Sequence, residues 1–336
     1  MKKLLLRLLQ LTDRPVVKVY NGYGDNEQLV IYGSVFKLSP LPGQKHSGNV
    51  FSNTLAILRL FMVRPYPKGR VTILWNERVH ETETEADGFF RLEWKPEEPL
   101  PPGWHPVVVR LMNPSNLQIM LASGEGKVFI PHAFQYAFIS DIDDTFLISH
   151  STNLRKRLFV LLTENAQSRK PFEGVVNHYQ LLAKAGLSTE EPNPFFYVSS
   201  SEWNLYDYIR EFTGKNELPE GIYLLNQLKR LSQVWKTGKG AHSTKFVRIV
   251  RVIETYPLQK YILLGDDSQD DPKTYASIAE HFPGKILCVY LRRIKKSKEV
   301  SVNDLIMRME NAGVACCYFT HSSEAIQHSR KAGLIR

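Results

Sequence analysis

From about residue 131 onward the chain alternates short apolar runs with helical stretches, and this alternation constrains the fold more than any other feature. QYAFISD is followed by a helical region reaching Ala185, then by PFFYVSS, NLYDYIREFTG, FVRIVRVIETYP, YILLGDD, TYASIAEHFPG and KILCVYLRR. Strands and helices that take turns over short loops build a parallel sheet with helices on both faces. Such sheets hold their sites beyond the carboxyl ends of the strands. AFIS runs into Asp141-Ile142-Asp143-Asp144-Thr145, and FFYV runs into Ser199-Ser200-Ser201. YILL runs into Gly265-Asp266-Asp267, with Asp270 and Asp271 close behind. Lys245 stands near the start of the helix FVRIVRVIETYP.

Carboxylates gathered at one sheet mouth need a cation. Two ionised aspartates about 4 Å apart repel by roughly 4 kcal/mol at an effective dielectric of about 20. Oxygen ligands with no His or Cys among them favour Mg²⁺ over zinc. One aspartate can then attack phosphorus and form an aspartyl phosphate. The acid two residues on can protonate the leaving oxygen and later activate water. A lysine and a serine hydroxyl or backbone amide would hold the phosphoryl oxygens. Each motif alone is ordinary, since DxDxT and serine runs cap helices, GDD makes turns and a helix-opening lysine is usually solvated. All four, in the chain order DxDxT, serine run, lysine and GDD, with three directly after an apolar strand, point to phosphoryl transfer.

The same order of motifs resembles the haloacid dehalogenase (HAD) superfamily of phosphotransferases. More narrowly, FISDIDDTF, YVSSSEWNLYDYI, TKFVRIVRVIETYP and YILLGDDSQDDPKTYASIAEHFPGKILCVYLRRI resemble the phosphatidate phosphatase catalytic domain of the actin-patch-protein type. The resemblance implies a HAD-like Rossmannoid parallel sheet over 131–336 and hydrolysis of phosphatidate to diacylglycerol and phosphate. It makes Asp141 the nucleophile and Asp143 the general acid/base. Asp141, Asp143 (through its carbonyl), Asp266 and Asp271 would bind Mg²⁺. Thr145, Ser199, Ser200 and Lys245 would hold the phosphate, Lys245 also serving catalysis. The chain departs from the family pattern at Thr244, where a histidine is usual, at Asp267 and Ser268 in the acidic turn, and at Glu202 after the serines.

The 336 residues suffice for a second domain. Between 16 and 130, VVKVY, QLVIYGSVF, VTILW, FFRLEW and PVVVRLM alternate with turn-rich pieces such as NGYGDN and EADG. This pattern predicts a small antiparallel β-sandwich, with one inserted helix over Asn53–Val63. EADGFFRLEW is similar to that family's accessory sandwich. The opening MKKLLLRLLQL is broken by Arg7 and has no small-residue cleavage site after it, so an amphipathic helix is expected over residues 1–15.

A net charge of +9 suggests an anionic partner, and the resemblance implies a phosphorylated lipid, met at an anionic membrane surface. The basic segment Leu154–Leu162 could act as a lid meeting that surface. Nucleic acid is not expected, because the basic residues are not interleaved with aromatics in a stripe. Three cysteines without paired or metal-ligand spacing suit a reducing, cytoplasmic compartment, with peripheral membrane contact. Two further readings stand beside the lipid phosphatase: a phosphatase for another lipid phosphate or a soluble monoester, and a non-catalytic module binding anionic lipid. The crowd of carboxylates counts against the last.

Overall fold

The computed structural model describes residues 11–40, 63–132, 135–142, 171–186, 192–226 and 241–336. The amino-terminal part of the chain contributes β1 (Leu11–Thr12), β2 (Val16–Gly24), β3 (Leu29–Pro40), β4 (Arg64–Pro65), β5 (Arg70–Trp75), β6 (Arg78–Glu83), β7 (Phe89–Trp94), β8 (Gly103–Asn113) and β9 (Asn116–Ile130). Their ladders join in a nine-stranded sheet. Alternation of buried Phe90, Leu92 and Trp94 along β7 places one face on an aliphatic core with Val35, Val71 and Val109.

Two expectations change here. The strands are not all antiparallel, because β2 and β9 run parallel at Gly22↔Val128 and Tyr23↔Phe129. The helix expected over residues 1–15 does not extend that far, since Leu11 and Thr12 pair with β3 as a strand. Residues 1–10, and 53–62 of the expected inserted helix, lie outside the described residues.

The second part supplies β10 (Tyr136–Asp141), α1 (Val175–Ala183), β11 (Phe195–Glu202), α2 (Tyr206–Lys215), β12 (Gly221–Asn226), α3 (Ala241–Thr255), β13 (Lys260–Asp266), α4 (Asp271–His281), β14 (Ile286–Arg292), α5 (Glu299–Asn311), β15 (Ala315–Phe319) and α6 (Ser322–Lys331). The six strands are all parallel, in the order β12-β11-β10-β13-β14-β15. Chain order therefore reverses at β10, which has β11 on one side and β13 on the other. Such a reversal parts the flanking loops and opens a crevice at the carboxyl ends.

Helices cover both faces, which is why the central strands are apolar throughout. Ala137, Phe138, Ile139, Ile262 and Leu263 are fully buried. On one face, Tyr179 of α1 meets Ser140, Thr213 of α2 meets Tyr223, and Ser329 of α6 meets Tyr290. On the other, Tyr261 donates to a carbonyl of α3, and Arg308 of α5 ion-pairs with Glu280 of α4. The three cysteines are free thiols. Among the described residues no helix is long and apolar enough to cross a membrane.

The two sheets meet through aromatic side chains. Trp203, just past the end of β11, stacks on Tyr20 of β2 at 4.3 Å between ring centroids and 7° between planes, and Tyr32 and Phe89 flank it. Asn21 and Gly24 of β2 donate their amides to the hydroxyls of Tyr206 and Tyr256.

Candidate active site

Strand register places the polar residues of three strands side by side. Asp141, the last residue of β10, is level with Val198 of β11, so Ser199 follows at the same rim. On the other side Ser140 is level with Leu264, which puts Asp266 one step beyond Asp141. The reversal of strand order thus collects the Asp141, Ser199 and Asp266 motifs at one crevice.

Two helices complete the cluster from a single face. Lys245, in the second turn of α3, places its ammonium 2.8 Å from Asp141 Oδ1 and also ion-pairs with Asp271 Oδ1. Asp271 opens α4, with Asp270 at the cap and Pro272 next, where the helix N-terminus favours negative charge. Gly265 lets it approach: a Cβ there would lie 2.7 Å from Asp271 Oδ2 and 2.7 Å from the Tyr275 ring. The Asp266 amide faces Asp271 Oδ2 at 3.4 Å, and the Ser268 amide donates to Asp266 Oδ1.

Electrostatics follow from this crowding. Asp141, Asp266, Asp271 and Lys245 are all buried. Burial alone would lower the Lys245 pKa, but Asp141 and Asp271 outweigh it and hold the ammonium above its ordinary value. Burial first, and Asp271 second, push the Asp266 carboxyl up to about 7. Asp141, Asp266 and Asp271 offer oxygens within 4.8 Å of one another, an arrangement that could hold a metal ion. Three carboxylates against one ammonium leave an excess of negative charge, and an all-oxygen donor set fits a hard divalent cation.

The hydroxyl loop is equally ordered. Ser199 is fully buried, and its Oγ accepts from the Ser201 amide at 2.9 Å. Asn226 of β12 donates to the Ser200 carbonyl at 2.7 Å. The structure therefore brings Asp141, Lys245, Asp266 and Asp271 together, with Ser199 and Ser200 on the adjoining strand. Asp143, Asp144, Thr145 and the segment 154–162 lie outside the described residues.

Asp267 has a different place from its neighbour. Its carboxylate turns away from the cluster and accepts from the amides of Ile294 (2.8 Å) and Lys295 (2.9 Å) and from the Tyr318 hydroxyl (2.7 Å). Lys295 donates to the Ser268 carbonyl and Lys298 to the Gln269 carbonyl, both at 2.9 Å. Part of the basic cluster at 292–298 thus braces the acidic turn.

Arg248 and Asn226 escaped the sequence reading. Arg248 was detectable as the residue one helical turn after Lys245. Asn226 was detectable as the polar end of GIYLLN, an apolar run that follows Pro219.

The motif-bearing segment is also the one that known proteins match. Residues 136–293 match the family model of the phosphatidate phosphatase APP1 catalytic domain. The phosphatidate phosphatase APP1 of Saccharomyces cerevisiae is 27% identical over 154 residues, which is 46% of this chain and 25% of that protein. An uncharacterized protein of Schizosaccharomyces pombe is 22% identical over 160 residues, 47% of this chain and 25% of that one. This chain thus spans about a quarter of the length of the curated relatives it matches. A solved carbohydrate acetylesterase from Xanthomonas citri aligns at 8% identity and a TM-score of 0.34 over 95% of this chain and 73% of that one, a likeness too slight to inform the site. The match to the APP1 catalytic domain agrees with the resemblance seen in the motifs.

Proposed function

We propose that the chain is a Mg²⁺-dependent phosphatidate phosphatase, hydrolysing phosphatidate to diacylglycerol and phosphate through an aspartyl phosphate on Asp141. The observation that carries this reading is the convergence of Asp141, Asp266, Asp271 and Lys245 at the reversal of strand order. The choice of a phospholipid rests on the match of residues 136–293 to the APP1 catalytic domain. In this reading residues 131–336 form a HAD-like catalytic domain and residues 16–130 an accessory β-sandwich.

Asp141, Asp266 and Asp271 would hold Mg²⁺, with Asp143 contributing its carbonyl as the resemblance implies. Bound there, the ion supplies positive charge that offsets the carboxylates and draws electron density from the phosphoryl oxygens. Lys245 pairs with Asp141 and adds charge beside the transferring group. An Asp141 oxygen attacks phosphorus, the bond from phosphorus to the glycerol oxygen breaks, and that oxygen takes a proton from Asp143. Water then attacks the acyl phosphate as Asp143 takes back a proton, which releases phosphate and restores the Asp141 carboxylate. Ser199 and Ser200 face the phosphoryl oxygens throughout. A lipid substrate places the reaction at a membrane surface, and the net charge of +9 suits an anionic, peripheral encounter.

Phosphate release from phosphatidate, lysophosphatidate, diacylglycerol pyrophosphate and soluble monoesters, with and without Mg²⁺, tests the proposal. Phosphatidate in vesicles should be the preferred substrate and chelator should abolish turnover. Undiminished turnover in excess chelator would reject the metal-dependent mechanism.

A further inference from the structure

The serine run interrupts the ladder between β11 and β12. The two strands pair from Phe195↔Gly221 to Val198↔Leu224, the register then shifts, and the next pair is Glu202↔Asn226. Ser199, Ser200 and Ser201 therefore stand against Leu225 alone. A bulge of this kind takes backbone groups out of the ladder, and buried carbonyls need other donors.

Side chains from two neighbouring elements meet that need. Arg248 of α3 donates to the Ser199 carbonyl at 3.1 Å and the Leu224 carbonyl at 3.4 Å, spanning the gap between the strands. Its other terminal nitrogen donates to Asn226 Oδ1, and Asn226 Nδ2 donates on to the Ser200 carbonyl at 2.7 Å. Arg248 lies one turn along α3 from Lys245, so a single helix carries the ammonium on Asp141 and the guanidinium under the serine loop. Burial pushes the Arg248 pKa down to about 10, which still leaves it charged at neutral pH. A planar fork of donors suits three acceptors spread over two strands, a geometry that a lysine cannot reproduce.

We infer that Arg248, partly through Asn226, is the positioning residue of the phosphate-binding loop, holding Ser199–Ser201 in the bulge that presents them to a phosphoryl group. This rests on the phosphatase reading, because it assumes that the serine loop receives phosphate. It adds a residue to which the motifs assign no role, and it ties Asp141 and the serine loop to one helix, α3.

The test uses the full chain and two affinities that do not depend on turnover, those for inorganic phosphate in saturating Mg²⁺ and for Mg²⁺ alone, measured by calorimetry. Arg248→Met should weaken phosphate binding by about 10- to 100-fold, as expected for loss of charge-assisted positioning bonds. Mg²⁺ affinity should stay near wild type, because the carboxylates are held by other contacts. Arg248→Lys should recover only part of the loss. Asn226→Ala, which leaves the arginine in place, should weaken phosphate binding in the same direction and serves if Arg248→Met fails to fold. Wild-type phosphate affinity in a folded Arg248→Met or Asn226→Ala protein would overturn the inference. So would a parallel loss of both affinities, the mark of general loosening. A wild-type protein that neither binds nor releases phosphate would instead remove the phosphatase reading beneath it.

Discussion

Lys245 on α3 and Asp141 at the end of β10 form a buried ion pair with 2.8 Å between Nζ and Oδ1, and the same ammonium also reaches Asp271. A lysine shared between two carboxylates on separate elements fixes where both can sit. It also leaves the third carboxylate, Asp266, to be offset by something else.

Replacing that lysine should have two consequences. Lys245→Met leaves two buried carboxylates, Asp141 and Asp271, without their ammonium, which should cost about 3–5 kcal/mol of stability in metal-free protein. Turnover should fall by about 10²- to 10³-fold, the scale seen when one stabiliser of transition-state charge is lost. Urea unfolding and phosphate-release assays measure the two effects. Near-normal turnover in Lys245→Met would take the lysine out of the mechanism.

Mg²⁺ binding through Asp266, as proposed, should depend on pH. The folded pKa of Asp266, about 7, lies above its ordinary value of 3.8, so between these pH values the folded protein keeps a proton that the unfolded chain has released. Stability from this group is therefore present at low pH and is lost as pH rises towards about 7. Mg²⁺ competes with that proton, so its thermal stabilisation should be small near about pH 5.5 and larger near about pH 8. Asp266→Asn should flatten the difference. A Mg²⁺-induced rise in Tm that is the same at both pH values in wild type would contradict the assignment.

Trp203 joins the two sheets beside the serine loop, flanked by Tyr20, Tyr32 and Phe89. Trp203→Ala should cost about 3–5 kcal/mol in urea unfolding, the usual range for deleting a large buried aromatic side chain. A loss below about 1 kcal/mol would mean that the aromatic contact between the sheets contributes little.

The parallel sheet was legible because its strands are buried on both faces and therefore read as unbroken apolar runs. Asp141, Ser199 and Asp266 were found because each follows such a run directly. Lys245 and Asp271 were noted beside them but took their roles from the resemblance, since a helix-opening lysine and an acid in a turn have no periodicity of their own. β9 was missed because NLQIMLASGEGKVFI mixes glycines and polar residues with its apolar positions, and long pairing with β8 overrides that composition. β12 was missed although GIYLLN is buried along its whole length, because so short a run gives strand and helix alike. Arg248 could be placed one helical turn from Lys245, but its role could not be read: its partners are carbonyls beside a bulge, and no sequence pattern announces which backbone groups a bulge will leave.

Trapping the covalent intermediate tests the central claim most directly. Protein quenched during turnover of phosphatidate with Mg²⁺ and reduced with borohydride should carry homoserine in place of aspartate at position 141, detected by mass spectrometry of the peptide containing FISDIDDTF. An unmodified Asp141 in protein that is turning over, or reduction at another acid, would contradict the account.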